Sequence, residues 1–369
     1  MARRKLRLVV SDMHLGAGMR RGQPNPLEEF FHDDRFAELV EHHQRGQFAD
    51  CDVELVLNGD IFDLLKIKVG GVWPTEITEE IACEKLRQCL DGHPVFCDAI
   101  RRFLEQPGSS VVYLPGNHDM DLQFPAAQAL FRERVAPGAK GDRVRFITAS
   151  DTYYLPEGIQ IRHGHQLESI HQFDYRSMFV EGKRGGRTLN LPWGSLWILE
   201  VLNPMKQERH HLDHIVPFKR LVLLGLLFDL GFTVRLCARV AFHFVRSRLA
   251  QVTRWRTRIR TTLRILRDEM RPLGDFDRTA ERSLMRVRGV HTLILGHSHG
   301  AKCKVLPGGK MYVNTGTWIR HFSLDLETLG QEPGITYAVV EYTEEGTPVT
   351  SLMRWLGTPR RSEVVYYRA

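Results

Sequence analysis

Five short apolar runs, each ending in polar residues able to bind a cation, set the pattern of this 369-residue chain. Residues 6–10 lead to Ser11-Asp12-Met13-His14, and 53–57 lead to Asn58-Gly59-Asp60. Residues 111–114 lead to Pro115-Gly116-Asn117-His118-Asp119, and 159–162 to His163-Gly164-His165. Residues 291–295 lead to Gly296-His297-Ser298-His299. Each run is strand-length and rich in Leu or β-branched residues. Glycine at the run ends lets the backbone turn tightly. Helical patterns over 78–90 and 95–104 lie between runs. Strands alternating with helices predict an α/β sheet, in which ligands gather beyond the carboxyl ends of the strands. Further strand-like runs at 310–314, 335–342 and 350–355 lack long helices between them. They are expected to pair antiparallel in a second sheet.

Residues 172–288 interrupt this scheme. Val252, Trp255, Ile259, Leu263, Leu266 and Met270 recur at helical steps and predict one apolar stripe, with Arg260, Arg264, Arg267 and Arg271 forming a basic one. The expected organisation is a core of 1–171 and 289–369 carrying a helical insertion or cap at 172–288.

Composition changes the picture at three points. With 43% hydrophobic and 26% charged residues the chain is globular. Its six cysteines form no C-x-x-C pair, so a zinc knuckle, a thioredoxin motif and a disulfide framework are all unsupported, and a reducing, cytoplasmic setting is expected. The net charge is +7, yet residues 235–267 hold ten arginines and no Asp, Glu or Lys, leaving 7 − 10 = −3 for the rest. That local basicity predicts an anionic partner for one segment. Asp12 follows the first apolar run too soon for a signal peptide, and no run reaches 18 apolar residues.

The polar pieces differ in what they offer. Asp12 and His14 supply a hard oxygen and an imidazole, though such residues also form turns. Asp60 supplies a carboxylate able to bridge two cations, or a helix cap. Asp63 either orients a histidine or caps a helix. Asn117 offers a neutral oxygen, His118 could meet a substrate oxygen, and Asp119 could equally cap a helix. His163 directly follows its strand and is preferred over His165. His297 and His299, two apart between glycines, suit ligation by both rings.

The order Asp-x-His, Gly-Asp, Gly-Asn-His-Asp, His and Gly-His-x-His resembles the calcineurin-like metallophosphoesterase superfamily. Ser11-Asp12-Met13-His14-Leu15-Gly16 and residues 312–318 look like its bacterial branch near the UDP-2,3-diacylglucosamine hydrolases, which carry Arg where this sequence has His118. The resemblance implies a sandwich of two β-sheets flanked by helices. It implies one cation held by Asp12, His14, Asp60 and His299, and another held by Asp60, Asn117, His163 and His297. It also implies that Asp63 orients His118. The donor mix suits Mn²⁺, the preferred ion, with Fe or Zn²⁺ as alternatives. Two such cations, about 3.5–4 Å apart, generate a bridging hydroxide for in-line attack on phosphorus. His118 would stabilise developing charge or protonate the leaving oxygen.

Three readings stand for the insertion: a plain helical cap, a surface resting on the anionic inner face of a membrane through 215–271, or a nucleic-acid contact. The preferred substrate is a phosphoester or pyrophosphate, lipid-linked like UDP-2,3-diacylglucosamine. The alternatives are a nuclease or nucleotide phosphodiesterase, and a non-catalytic metal-binding scaffold.

Overall fold

The structure is a computed structural model that describes residues 4–19, 25–183, 185–209, 215–216, 224–249, 276–323, 330–332, 334–358 and 361–364. Among the described residues two large sheets dominate. The first combines β1 (Arg4–Val10), β2 (Cys51–Asn58), β3 (Ser110–Leu114) and β4 (Val144–Phe146) in parallel. The second begins with the antiparallel pair β5 (Thr152–Leu155) and β6 (Ile159–Arg162). Two small elements follow in the chain: a hairpin of β7 (Phe179–Glu181) and β8 (Arg187–Leu189), and β9 (Ile215–Val216). The second sheet continues with β10 (Thr292–Leu295), β11 (Lys302–Leu306) and β12 (Lys310–Asn314). β13 (His321–Ser323) and β14 (Gly330–Glu332) join β9. Finally β15 (Thr336–Tyr342), β16 (Pro348–Gly357) and β17 (Arg361–Val364) extend the first sheet beyond β1.

The period of two along each strand makes the layers. In β1, Leu6, Leu8 and Val10 face a cluster completed by α1 (Asp33–His42), α2 (Glu79–Gly92), α3 (Pro94–Phe103) and α4 (Pro125–Val135), with Phe36, Leu86, Phe96 and Phe131 among its members. Val9 instead enters the cluster between the sheets, beside Val56, Val112, Ile161, Ile294 and Val313. In β10, Ile294 faces that interior, whereas Leu293 and Leu295 meet Ala280 and Leu284 of the helix Phe276–Arg286 on the far side. The result is helices, sheet, sheet, helix, as expected. α2 starts where Thr78 accepts a hydrogen bond from the Ile81 amide.

The expected antiparallel second sheet of three late strands is corrected. β12 lies parallel beside β10, while β15 pairs antiparallel with β1 and β16 with β15, inside the first sheet. The reason lies in the two-sided burial of β15. Ala338 and Val340 fill the space between the sheets and Tyr337 and Val339 face the helices, matching β1 side for side.

Within 172–288, α5 (Trp193–Trp197), a π-helical turn Ile198–Leu202 and α6 (Asn203–Lys206) run on continuously. Leu199, Leu202 and Met205 pack with Leu65 of the short turn Leu64–Lys66 and with Phe232 and Leu236 of the helix Leu230–Leu249. The predicted apolar stripe from Val252 to Met270 and the basic stripe from Arg260 to Arg271 lie outside the described residues. No helix among the described residues is long and apolar enough to cross a membrane.

Candidate metal centre

The carboxyl ends of β1, β2, β3, β6 and β10 deliver their polar residues to one place. Beyond β1 and β2 the chains stay zipped: the amides of Asp12, His14 and Leu15 donate to the carbonyls of Gly59, Asp60 and Ile61 at 3.1, 3.0 and 2.8 Å. Gly59 stands at φ +79°, and a Cβ there would lie 2.6 Å from the His163 ring. The close approach of two loops therefore requires glycine.

Backbone conformation marks the site independently. Among the described residues, positive φ outside glycine occurs at Asp12 (50°), His14 (55°), Asp60 (51°), His297 (70°) and His299 (61°). All five are predicted ligands. A left-handed non-glycine residue costs on the order of 1–3 kcal/mol, and such strain persists where surrounding contacts over-determine it.

The donors converge. His14 Nε2 lies 3.1 Å from His299 Nε2, and His299 Nε2 lies 3.5 Å from Asp12 Oδ1. Asp60 Oδ2 lies 3.1 Å from His163 Nε2 and 4.0 Å from His14 Nε2. Three triads bring ligand atoms within 4.8 Å of one another: Asp12, His14 and His299; Asp60, His163 and His297; and His14, Asp60 and His118. Asp60 belongs to two of them, one shared with His163 and His297 and one with His14 and His118. Asn117 is buried, and its Oδ1 accepts no hydrogen bond. A buried acceptor with no hydrogen bond, one residue before the amide that donates to Asp60, fits a divalent cation.

Neighbouring groups orient these donors. His163 Nδ1 donates to the Asn58 carbonyl at 2.9 Å, which leaves Nε2 for the site. The His297 amide donates to both Asp12 oxygens at 3.0 Å. His118 Nδ1 donates to Asp63 Oδ1 at 2.8 Å, and its amide donates to Asp60 Oδ1 at 2.8 Å. Asp119 accepts from the amides of Ile61 and Gly116 and from the Tyr113 hydroxyl, so it ties loops together and faces no substrate. His165 is fully buried, 6.0 Å from the Phe173 ring, and neither of its nitrogens is hydrogen-bonded.

Carboxylates and imidazoles at the site hold each other in their charged forms. Burial pushes the Asp60 carboxyl up, but His163, His118 and His14 outweigh it and hold the group well below the ordinary range. Burial pushes the His163 imidazole down, yet Asp60 and Asp12 raise it to about 10. For His118, burial is likewise outweighed by Asp63 and Asp60, which raise it to about 9. A bound cation would take the place of these protons.

Two participants, Glu168 and His171, were not read from the sequence, and two more, Asn314 and Thr317, were read only as part of the motif 312–318. Glu168 Oε2 accepts from His297 Nε2 at 3.0 Å, and the Glu168 carboxyl, which burial would raise, is lowered to about 2 by that contact. His171 joins Glu168 and His297 in a further triad. The Glu-x-x-His spacing directly after His165 was the available signal. Asn314 Nδ2 donates to the Gly296 carbonyl at 2.8 Å and to Ser298 Oγ at 3.0 Å, and the Thr317 hydroxyl donates to the Asp12 carbonyl at 2.7 Å. The Asn-Thr-Gly-Thr segment thus braces the first and last motifs.

The family model for calcineurin-like phosphoesterases matches residues 7–229, more than half of the 369. The chain belongs to that family. No curated protein sequence matches it significantly. Among solved structures it is similar to a dimetal phosphatase from Danio rerio, with 11% identity over 100% of each chain and a TM-score of 0.40. It is also similar to Vps29 complexed with zinc from Entamoeba histolytica, with 12% identity over 98% of each chain and a TM-score of 0.30. A third likeness is Vacuolar Protein Sorting 29 from Cryptosporidium parvum, with 11% identity over 99% of this chain and 97% of that one, and a TM-score of 0.32. At such scores these likenesses add no argument about function.

Proposed function

We propose that the chain is a two-metal phosphoesterase. Asp12, His14, Asp60 and His299 hold one cation, Asp60, Asn117, His163 and His297 hold the other, and manganese is the preferred ion. The observation that carries this reading is the coincidence of left-handed backbone with five of the seven predicted ligands. When bound, the cations neutralise charge at phosphorus and acidify a water for attack. The chain's own part is positional. Asp63 holds His118 through Nδ1, so Nε2 is the atom that meets a phosphate or leaving-group oxygen. The His118 side chain is 16% exposed, reachable by substrate, whereas Asp63 is buried. The loops braced by Asn314 and Asp119 keep the donors in place with no contact to substrate.

Metal analysis together with hydrolysis of bis(p-nitrophenyl) phosphate tests this. Asp60→Ala and His297→Ala should lose metal and turnover together. His118→Ala should keep metal and lose turnover, and Asp63→Ala should show a milder form. Full metallation and activity in Asp60→Ala would overturn the assignment. Loss of metal in His118→Ala with retention in Asn117→Ala would exchange their roles.

For the substrate we infer a lipid-linked phosphoester or pyrophosphate of the UDP-2,3-diacylglucosamine type, acted on at an anionic membrane face. Its support is the exposed apolar stretch Leu226, Leu227, Phe228 and Leu230 on the insertion, next in sequence to the ten arginines of 235–267. The arginines alone also suit a nuclease. Salt-sensitive binding to anionic liposomes against binding to DNA separates the two readings.

A further inference from the structure

Behind Asp63 lies a buried chain of alternating charges that neither the family motifs nor the proposed reaction uses. Lys66 ends the short turn Leu64–Lys66. Its Nζ donates to Asp63 Oδ2 at 2.8 Å and to Glu29 Oε2 at 2.6 Å. The other Glu29 oxygen accepts from Lys206 Nζ, and Lys206 lies on α6 of the insertion. All four side chains are buried.

Each of the two carboxylates faces at least one ammonium group, so neither is buried without a counter-charge, which would be costly. The turn that carries Lys66 is gripped from the same side. Leu65 packs with Leu199, Leu202 and Met205, and Asn203 Nδ2 donates to the Leu65 carbonyl at 2.9 Å. The insertion therefore touches this turn by charge, by a hydrogen bond and by apolar contact.

The carboxylate of Asp63 is divided in use. Oδ1 accepts from His118 and Oδ2 accepts from Lys66, with His14 Nδ1 at 3.3 Å from the same oxygen. With Oδ2 pinned, the carboxylate cannot turn away from the His118 ring. We propose that Lys66 is a positioning residue for His118: it fixes the Asp63 carboxylate and is itself tethered through Glu29 to Lys206 of the insertion. The inference rests on the reading of His118 as the residue that meets the phosphate.

Lys85 and Asp121 supply a comparator. They form a buried ion pair of the same kind, 2.7 Å apart, with no contact to Asp63. The test uses the full chain in three variants: Lys66→Met, the charge-balanced Lys66→Met with Glu29→Gln, and Lys85→Met with Asp121→Leu. Two readouts are taken. One is kcat and KM of the Mn²⁺-loaded protein on an aryl and an alkyl phosphodiester. The other is the ring ¹⁵N signature of His118 in metal-free protein at one pH, assigned by its loss in His118→Gln.

Both Lys66 variants should lower kcat about 10- to 100-fold, as loss of an orienting partner does, with KM changed less than about threefold. The His118 Nδ1–H signal, held downfield by its bond to Asp63, should move upfield or be lost to exchange with water. The comparator should melt earlier yet keep kcat and signature. If Lys66→Met alone does not fold, the charge-balanced variant decides. Unchanged kcat and signature in the Lys66 variants, or an equal kcat loss in the comparator, would overturn the proposal. If the parent hydrolyses no phosphoester with any metal, the phosphoesterase reading fails. The ring signature then still decides whether Lys66 positions His118.

Discussion

His93 makes stability depend on pH in a predictable direction. Its ring is buried between α2 and α3, with Nδ1 at 3.1 Å from Asp33 and Nε2 at 3.5 Å from Glu28. Burial alone would push the imidazolium down, but the two carboxylates outweigh it and raise the group from 6.5 to about 9. A difference of roughly 2.5 units corresponds to on the order of 3 kcal/mol of folding free energy. The folded value lies above the unfolded one, so this stability is fully present below about pH 6.5 and lost as pH rises through about 9. Roughly 2 kcal/mol remains at pH 7.5. Urea unfolding of the parent and of His93→Gln, at pH 6 and pH 10, isolates the effect because other titrations cancel in the difference. The gap between parent and variant should shrink by about 3 kcal/mol over that range. A gap independent of pH, or one that widens toward pH 10, would refute the assignment of a charged His93. The effect reaches the site, because Glu28 also accepts from the Gly16 and Gly18 amides at 3.2 and 2.6 Å, in the loop that follows His14.

Other outcomes follow from the same geometry. Asp119→Ala leaves the Ile61 and Gly116 amides and the Tyr113 hydroxyl without their acceptor; at about 1–3 kcal/mol per buried orphan it should lose 3 kcal/mol or more by urea unfolding, with Tyr113→Phe costing about 1. Gly59→Ala forces a Cβ against His163 in a left-handed conformation and should lower both melting temperature and bound metal, measured by calorimetry and elemental analysis. Mn²⁺ at a hundred times its dissociation constant should add about 2.7 kcal/mol of stability per occupied site, reversed by EDTA and absent in Asp60→Ala. A parent whose melting ignores every divalent ion would refute that last expectation.

The family and most of the candidate site were legible because their signals are local. A strand-length apolar run, a glycine and a carboxylate or imidazole within a few residues need no partner to be recognised. Asp12, Asp60, Asn117, His163 and His297 each follow such a run, and folding brings the run ends together because ligands collect at the carboxyl edge of parallel strands. The preference for His163 over His165 was local in the same way, since the first residue past β6 still faces the sheet edge. Pairing between distant segments was not legible. β12 beside β10 and β15 beside β1 were chosen by which apolar faces had to be covered, a property of the closed sandwich. The same holds for Glu29, Lys66 and Lys206. As a sequence they are three isolated charges, 37 and 140 residues apart, and each alone reads as a surface residue. Only the packing of α6 against the turn Leu64–Lys66 excludes water around them, and that exclusion turns separated charges into one buried chain reaching Asp63.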